Sequence, residues 1–561
     1  MATVIVNDKP VDIGADKLNL IQAAERAGVL IPHYCWHPAL TVVASCRMCL
    51  VEVGEKKPDG TVAMQPKVVP ACQTPAKDGT IVITNSPRAK AAQQQTLEGL
   101  LLNHPLDCPV CDKAGECLLQ DYTYKFGRAT SRMIDEKNQP PNKEHIGEHI
   151  KLFTDRCVMC SRCVRFTREI AGTAELQVIN RGEHSEIDIF PGEPCNNKLA
   201  GNVVDLCPVG ALGNKDFLYK QRVWYLHPTH SVCADCSTGC AIDVDANKDI
   251  VFRLRPRFNP QAQGHFMCDE GRFGFHYVQS AERFLRPARR AAGFSPADRP
   301  NGEAGSSTWE TILPEIRQKL AEAISKDGSG VAAMLSPFLT CEEAYLAARF
   351  FKGLSGEVRL FLGPVPIVGE DDTYPKDRKG NPPPPDHVKF TIRAEKCPNR
   401  KGVEEILRHF QGEVIEFSSL LRFASEGKLQ AVYLLAGYPP RPGGWISTED
   451  VAKLQNVPLV IVHDLFPSPA SALAHYVLPS AVYAEKDGTF VNHAGLAQLV
   501  RRAIRPPGEI RTEGQFICDL MQRRGLAHAP TIRAELAAEV KHFAALAGDL
   551  GEYGVRLQPQ S

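Results

Sequence analysis

The cysteines of this chain fall in spaced groups that could hold metal. Cys108, Cys111 and Cys117 lie in "NHPLDCPVCDKAGEC", separated by two and five residues, with His104 four residues ahead of Cys108. Cys157, Cys160 and Cys163 form "CVMCSRC", and Cys207 follows in "CPVG". Cys35, Cys46, Cys49 and Cys72 are spaced by ten, two and twenty-two residues, and Cys233, Cys236, Cys240 and Cys268 by two, three and twenty-seven. Four thiolates can bind zinc or an iron–sulfur cluster. Electron transfer or structural metal binding is the chemistry to weigh.

The first group has the order of a plant-type [2Fe–2S] site: a lone cysteine, a CxxC pair on a tight loop, and a distant fourth, expected on the next strand. Its first gap is longer than the usual four residues. Zinc is the alternative. The CxxCxxC triad places three thiolates on one face of a cubane, and a Cys-Pro cysteine elsewhere supplies the fourth. Cys207 fills that role, with Cys195 a spare remnant of a second motif. Arg162, Arg165 and Arg168 flank the triad, either as solvated surface charge or offsetting a negative cluster. The last group is a tetrathiolate that suits zinc or a cluster alike, and its spacing resembles the N-terminal cubane site of the molybdopterin oxidoreductases, which implies a further [4Fe–4S] cluster there.

That leaves His104 with Cys108, Cys111 and Cys117. The unassigned Cys195, Cys341, Cys397 and Cys518 are all distant in sequence. His104 is therefore the expected fourth ligand of a cubane, against a three-ligand cluster or none. A neutral imidazole in place of a thiolate removes a negative charge and by itself raises the potential, as in Rieske centres.

Several elements must position these ligands. "TVIVND" and "KPVDIG" read as a hairpin turning at Asn7-Asp8. "NLIQAAERAG" reads as a helix capped by Asn19, with Gly28 past its end. Hairpin, helix, cysteine loop is the order of a β-grasp ferredoxin. A helix around "QQQTLEGLLLNHP" leads into the histidine motif, and short helices and loops are expected from Ile150 to Asn214. "PARRAAGFSPADRPNGEAGSST", from Pro287 to Thr308, reads as a linker. Beyond it "GVAAMLS", "AVYLLAG" and "PLVIVHDLF" read as buried parallel strands, with helices such as "CEEAYLAARFFKGL" among them. "GEDDTYPKDRKGNPPPPDH" interrupts that domain, and its four prolines exclude regular structure there.

The bulk numbers narrow the class. Among 561 residues, Lys+Arg and Asp+Glu are both 65, which argues against a nucleic-acid binder working through a large basic field. No apolar run is long enough to span a bilayer. The N-terminus lacks a basic region followed by an apolar one, so no secretory signal is expected and the chain reads as cytosolic. Sixteen of nineteen cysteines lie between Cys35 and Cys268, dividing a cluster-rich half from a cysteine-poor one. No G-x-G-x-x-G after a strand and no phosphate loop is present, so neither flavin nor NAD is expected on this chain.

Taken together, Cys35/Cys46/Cys49/Cys72, His104/Cys108/Cys111/Cys117 and Cys157/Cys160/Cys163/Cys207 resemble the large iron–sulfur subunits of NADH–quinone oxidoreductase, respiratory complex I. "HPLDCPVCDKAGECLLQD" is the most specific element. The resemblance implies one [2Fe–2S] and two [4Fe–4S] centres, with a further [4Fe–4S] in some bacterial members, matched by Cys233, Cys236, Cys240 and Cys268. It also implies partners: a flavin- and NADH-binding subunit, a small [2Fe–2S] subunit, a ferredoxin-like two-cluster subunit and quinone-site subunits. The expected location is peripheral, on the cytoplasmic side of the plasma membrane, held there by the complex.

The C-terminal half resembles the molybdopterin oxidoreductases through "LVIVHDLFPSPASALAHYVLPSAVYAEKDGTFVN", read as a strand, a "VLP" turn and an "EKDGTF" loop of structural role. The chain is short for such an enzyme. After "CEEAYLAARFFKGLSG" it offers no metal-ligating Cys or Ser, and Cys341 lies inside a helix, so no bound molybdopterin and no catalytic residue are expected. The architecture is α+β and multidomain. Its expected parts are a β-grasp [2Fe–2S] domain at 1–85, a one-His, three-Cys [4Fe–4S] domain at 86–125, a ferredoxin-like [4Fe–4S] domain at 126–225, a molybdopterin-oxidoreductase-type [4Fe–4S] domain at 226–285, and a truncated, non-catalytic α/β domain at 286–561. The competing readings are a formate dehydrogenase-type molybdenum enzyme, a diaphorase-type subunit of an NAD-linked hydrogenase, and a zinc-binding scaffold. The long stretch beyond Gly210 counts against the hydrogenase subunit.

Overall fold

The computed structural model describes residues 2–57, 61–290, 307–377 and 379–558. It divides into two compact units. One comprises residues 1–226 with 373–389, the other residues 227–372 with 390–561.

The first unit begins with a hairpin, Thr3–Val6 against Lys9–Asp12. Asn7 (φ 44°) and Asp8 (φ 67°) both take the left-handed conformation that a tight two-residue turn demands and that Asn and Asp tolerate. Thr3–Val6 then pairs in parallel with Thr80–Ile83, which pairs with Leu50–Lys56. The helix Leu20–Arg26 starts in a capping box between Asn19 and Gln22. Leu20, Ile21, Ala23 and Ala24 share one apolar core with Val4, Val6, Val51 and Val82 of the sheet. This is the β-grasp arrangement expected from the hairpin–helix order.

Next comes the helix Pro87–Leu101, capped by Ser86 with proline at its first position. It delivers the chain to the histidine motif, after which the helix Leu118–Phe126 begins directly at Cys117. Between 150 and 214 the structure adds strands to the expected helices and loops. Ile150–Leu152 pairs with Leu212–Asn214, and Leu176–Ile179 with Glu186–Ile189. These strands are three or four residues long, too short to show an alternating pattern in sequence.

The second unit opens with an antiparallel sheet, His227–Val232, Ala241–Asn247 and Ile250–Pro256. Its larger sheet runs Ala288–Arg289, Tyr476–Pro479, Leu459–Asp464, Ala431–Leu435, Val331–Leu335, Arg359–Leu362. Only the Ala288–Arg289 edge is antiparallel. The inner strands are buried throughout, which is why they read as unbroken apolar runs.

Four readings need correction. "VLP" is not a turn: Val477, Leu478 and Pro479 lie in the strand Tyr476–Pro479, where Pro479 sits at the end. Within "EKDGTF", Gly488–Val491 is also strand. The stretch from Pro287 begins with the strand Ala288–Arg289, while 291–306 lie outside the described residues. In "GEDDTYPKDRKGNPPPPDH", Asp372–Tyr374 is strand and Pro385–His387 a turn of 3-10 helix, which proline's fixed φ permits at its first position.

Candidate metal centres

Cys35 follows the first helix, and Cys46 and Cys49 lie on the loop entering the strand Leu50–Lys56. Arg47 (φ 56°) turns that loop in the left-handed conformation. Cys72 sits in a turn after the strand Val69–Pro70, not on a strand as expected. The four thiols converge. Cys35 hydrogen-bonds side chain to side chain with Cys46 and Cys72, Cys49 does so with Cys72, and the Cys35 N–H donates to Cys46 Sγ at 3.5 Å. Those thiol hydrogen bonds hold Cys35 and Cys49 down and push Cys46 and Cys72 up. The four side chains face one another as the ligands of one iron–sulfur centre would.

Cys157, Cys160, Cys163 and Cys207 line one cavity, with Arg162 on its wall beside Val158, Ile187 and Leu212. Met159 (φ 50°) and Ser161 (φ 57°) are left-handed, and these reversals fold the short triad around the cavity. Burial pushes the Cys157 thiol up to about 12 and Cys160 to about 11, and raises Cys163 well above its usual value. Such thiols ionise when a metal core supplies the compensating charge.

In the histidine motif, Cys111 and Cys117 are buried and Cys108 is half-buried. Burial raises Cys111 and Cys117, and each also feels a neighbour of the set, Cys108 and Cys111 respectively. His104 is half-buried, and burial lowers its pKa to about 4, leaving the neutral imidazole that can ligate metal. His104 and Cys111 face the same ion pair, Asp107 with Arg156.

These three sets are joined by direct contacts. The Arg165 guanidinium donates to the carbonyls of Cys35, Thr41 and Cys160, the last at 3.3 Å. Arg162 donates to the carbonyls of Trp36 and Leu206, the latter at 3.2 Å. Both arginines are buried, so neither is the solvated charge that was one of the two readings. Arg168 is exposed. The Leu118 N–H donates to the Pro208 carbonyl at 2.9 Å, joining the histidine set to the Cys207 loop. Gly210 packs so close to that set that a Cβ there would stand 2.2 Å from Cys111 Sγ.

Cys233, Cys236, Cys240 and Cys268 are all buried in the second unit. Gly271 holds two of them near each other: a Cβ there would lie 2.9 Å from Cys233 Sγ and 3.6 Å from Cys268 Sγ. Its N–H donates to Cys268 Sγ at 3.4 Å. Beside this set, Arg441 bridges Asp235 and Glu270, and Lys396 pairs with Glu270.

The other cysteines are packed. Cys341 and Cys518 belong to one face's apolar core and Cys397 to the other's, while Cys195 is buried in the first unit. The "EKDGTF" segment is an ion-paired network. Glu485 binds Arg283 at 2.6 Å, Lys486 binds Glu343 at 2.8 Å and Glu513 at 3.4 Å, and Thr489 donates to Glu342. Among the described residues, no three His, Cys, Asp or Glu side chains form a group that could hold a single metal ion. A cubane makes a different demand, since its four ligands bind separate irons.

The sequence names these candidate ligands but does not single out the residues between them: Trp36, Leu118, Leu206, Pro208 and Gly210. The "CPVG" tetrapeptide carries the only local signal, a proline and a glycine against a proposed ligand.

Five families match the chain: a 2Fe-2S iron-sulfur cluster binding domain at 1–87, the NADH-ubiquinone oxidoreductase-G iron-sulfur binding region at 93–132, the ferredoxin-like domain of NADH-quinone oxidoreductase subunit 3 at 147–213, the molybdopterin oxidoreductase Fe4S4 domain at 226–280, and molybdopterin oxidoreductase at 411–523. Relatives include the NADH-quinone oxidoreductase G subunit of Rickettsia felis, 35% identical over 314 residues, 56% of this chain and 44% of that one. The corresponding G subunit of Streptomyces coelicolor is 35% identical over 59% of this chain and 37% of its own length. The NADH-ubiquinone oxidoreductase 75 kDa subunit of Reclinomonas americana is 33% identical over 67% of this chain and 51% of its own. The chain spans about half the length of these relatives, or less. Among solved structures, an NAD+-reducing [NiFe]-hydrogenase matches with TM-score 0.35 and 27% identity, covering 40% of this chain and 91% of that one. Acetylene hydratase from Pelobacter acetylenicus matches with TM-score 0.36 and 13% identity, covering 52% and 69%.

Proposed function

We propose that this chain, a homologue of the G subunits of NADH-quinone oxidoreductase, is an electron-transfer subunit of the peripheral arm of such a complex. It carries electrons from a flavin-bearing, NADH-oxidising partner through its own clusters toward a ferredoxin-like partner and quinone. In this reading Cys35, Cys46, Cys49 and Cys72 hold a [2Fe–2S] cluster. Three [4Fe–4S] clusters are held by His104 with Cys108, Cys111 and Cys117, by Cys157, Cys160, Cys163 and Cys207, and by Cys233, Cys236, Cys240 and Cys268. When bound, these clusters supply reversible one-electron storage.

The observation that carries the reading is the chain of contacts in the first unit. Arg165 touches the carbonyls of both Cys35 and Cys160. The Leu118 N–H meets the Pro208 carbonyl, each one residue past a proposed ligand. These contacts favour the sequence [2Fe–2S], triad cubane, histidine cubane. The polypeptide's part is to bury the thiols, fix the loops and place buried cations beside them.

The C-terminal α/β domain is read as a non-catalytic brace, because the residues of its "EKDGTF" segment are engaged in buried ion pairs. Among the described residues no helix is long and apolar enough to cross a membrane, so membrane attachment is assigned to partner subunits.

Anaerobic iron and sulfide analysis of the full chain, with EPR at stepped potentials, tests the reading. It requires one [2Fe–2S] and three [4Fe–4S] signatures, about fourteen irons per chain. Stoichiometric zinc without colour, or bound molybdenum, would overturn it.

A further inference from the structure

Arg162 is 7% exposed. Two arms of its guanidinium are spent on carbonyls: one nitrogen donates to Leu206, next to Cys207, and the other to Trp36, next to Cys35. Its Nε is buried and has no hydrogen-bond partner. No carboxylate pairs with it among the described residues. Arg162 nonetheless lines the same cavity as Cys157, Cys160, Cys163 and Cys207.

A buried guanidinium with a free donor and no anion is costly. The missing anion belongs in the cavity its side chain walls. A thiolate-ligated cubane is negative in both redox states and gains a further negative charge on reduction. Its sulfurs accept hydrogen bonds, and such bonds tune its potential.

We infer that the Arg162 Nε–H donates a hydrogen bond to a sulfur of the cubane held by Cys157, Cys160, Cys163 and Cys207, and that Arg162 thereby sets that cluster's potential while its other arm clasps the [2Fe–2S] loop at Trp36. The inference rests on the ligand assignment proposed above. The cation and the donor both stabilise the reduced cluster more than the oxidised one. Their loss therefore lowers the midpoint potential. A charge-assisted hydrogen bond of ordinary strength corresponds to about tenfold in the reduction equilibrium, about 59 mV for one electron.

The test uses the full chain loaded anaerobically with iron and sulfide. Arg162→Gln should lower the midpoint of this one cubane by about tenfold in its equilibrium and leave the histidine cubane unmoved. Arg162→Lys, which keeps the charge but loses Nε, should fall between. Independently of any variant, pulsed EPR of the reduced wild-type chain labelled with 15N-arginine should show a weak nitrogen coupling to this cubane. If the wild-type chain lacks the cubane, the ligand assignment fails. If the cubane is present but shows no arginine coupling, or if its midpoint is unchanged in Arg162→Gln, the inference about Arg162 is overturned.

Discussion

The Leu118 backbone N–H points at the Pro208 carbonyl, 2.9 Å away. Leu118 follows Cys117 and Pro208 follows Cys207, so one hydrogen bond separates two proposed ligand loops that are 90 residues apart in sequence. Two residues beyond Pro208, Gly210 presses against Cys111. The two loops are built as one object.

Gly210→Ala tests that closeness. The added methyl would stand 2.2 Å from Cys111 Sγ and 3.3 Å from the Lys113 side chain, a clash that no rotamer of the new residue relieves. The expected outcome is loss of the histidine-set cubane while the [2Fe–2S] signal persists. EPR with iron quantitation reads it, and full retention of all signals would show that the loops part easily.

His104→Ala removes the one proposed non-thiolate ligand. It should perturb a single cubane signal and leave the other clusters as they were. His104→Cys should restore four-ligand binding and lower that cluster's midpoint, since a thiolate adds the charge that an imidazole lacks. Redox titration of the two variants side by side checks both directions.

Arg165→Met strands three carbonyls, those of Cys35, Thr41 and Cys160. Buried carbonyls losing a charged donor should destabilise the first unit by about 3 kcal/mol or more. Thermal or denaturant unfolding, followed by the [2Fe–2S] absorbance, should show an earlier transition. Arg168→Met, on an exposed side chain, should change it little.

Lys486→Met probes the buried network of the second unit. Lys486 alone stands between Glu343 and Glu513. Burial already raises Glu343 from 4.5 to about 7. A carboxylate whose folded pKa is raised adds stability below its unfolded value and loses it as pH rises through the folded one. Without the lysine Glu343 should be harder to ionise. The variant should therefore lose about 3–5 kcal/mol near pH 8. The gap from the wild type should narrow as pH falls from the alkaline side toward about 7, the folded-state value of Glu343 in the wild type, because the unfolded value is common to both proteins and cancels. Melting temperatures of both proteins across that range measure it, and a pH-independent gap would contradict it.

Much of this molecule is legible in its sequence. Asn7-Asp8 turned the hairpin as its residue types require, Asn19 capped its helix, and the runs at Val331, Ala431 and Leu459 became buried parallel strands. Errors came where segments were short or local chemistry was ambiguous. "VLP" reads as a turn because of its proline, yet a strand end tolerates it. Cys72 reads as a strand residue because the [2Fe–2S] pattern suggests one, yet two residues of strand end before it.

What the sequence by itself determined was the set of candidate ligands. Spacing groups the thiols that share a loop, because such ligands lie within a few residues of each other; the distant Cys72, Cys207 and Cys268 are drawn in by the family resemblance, and the lack of a nearby spare cysteine makes His104 the expected fourth ligand. Tertiary structure alone decided what lies between the groups. Whether Arg162 and Arg165 are solvated or buried depends on Trp36 and Cys35, more than 120 residues away along the chain. The glycine at 210 gains its meaning from Cys111. Such contacts leave no local pattern, because hydrogen bonds to backbone carbonyls are indifferent to the residue type that offers them.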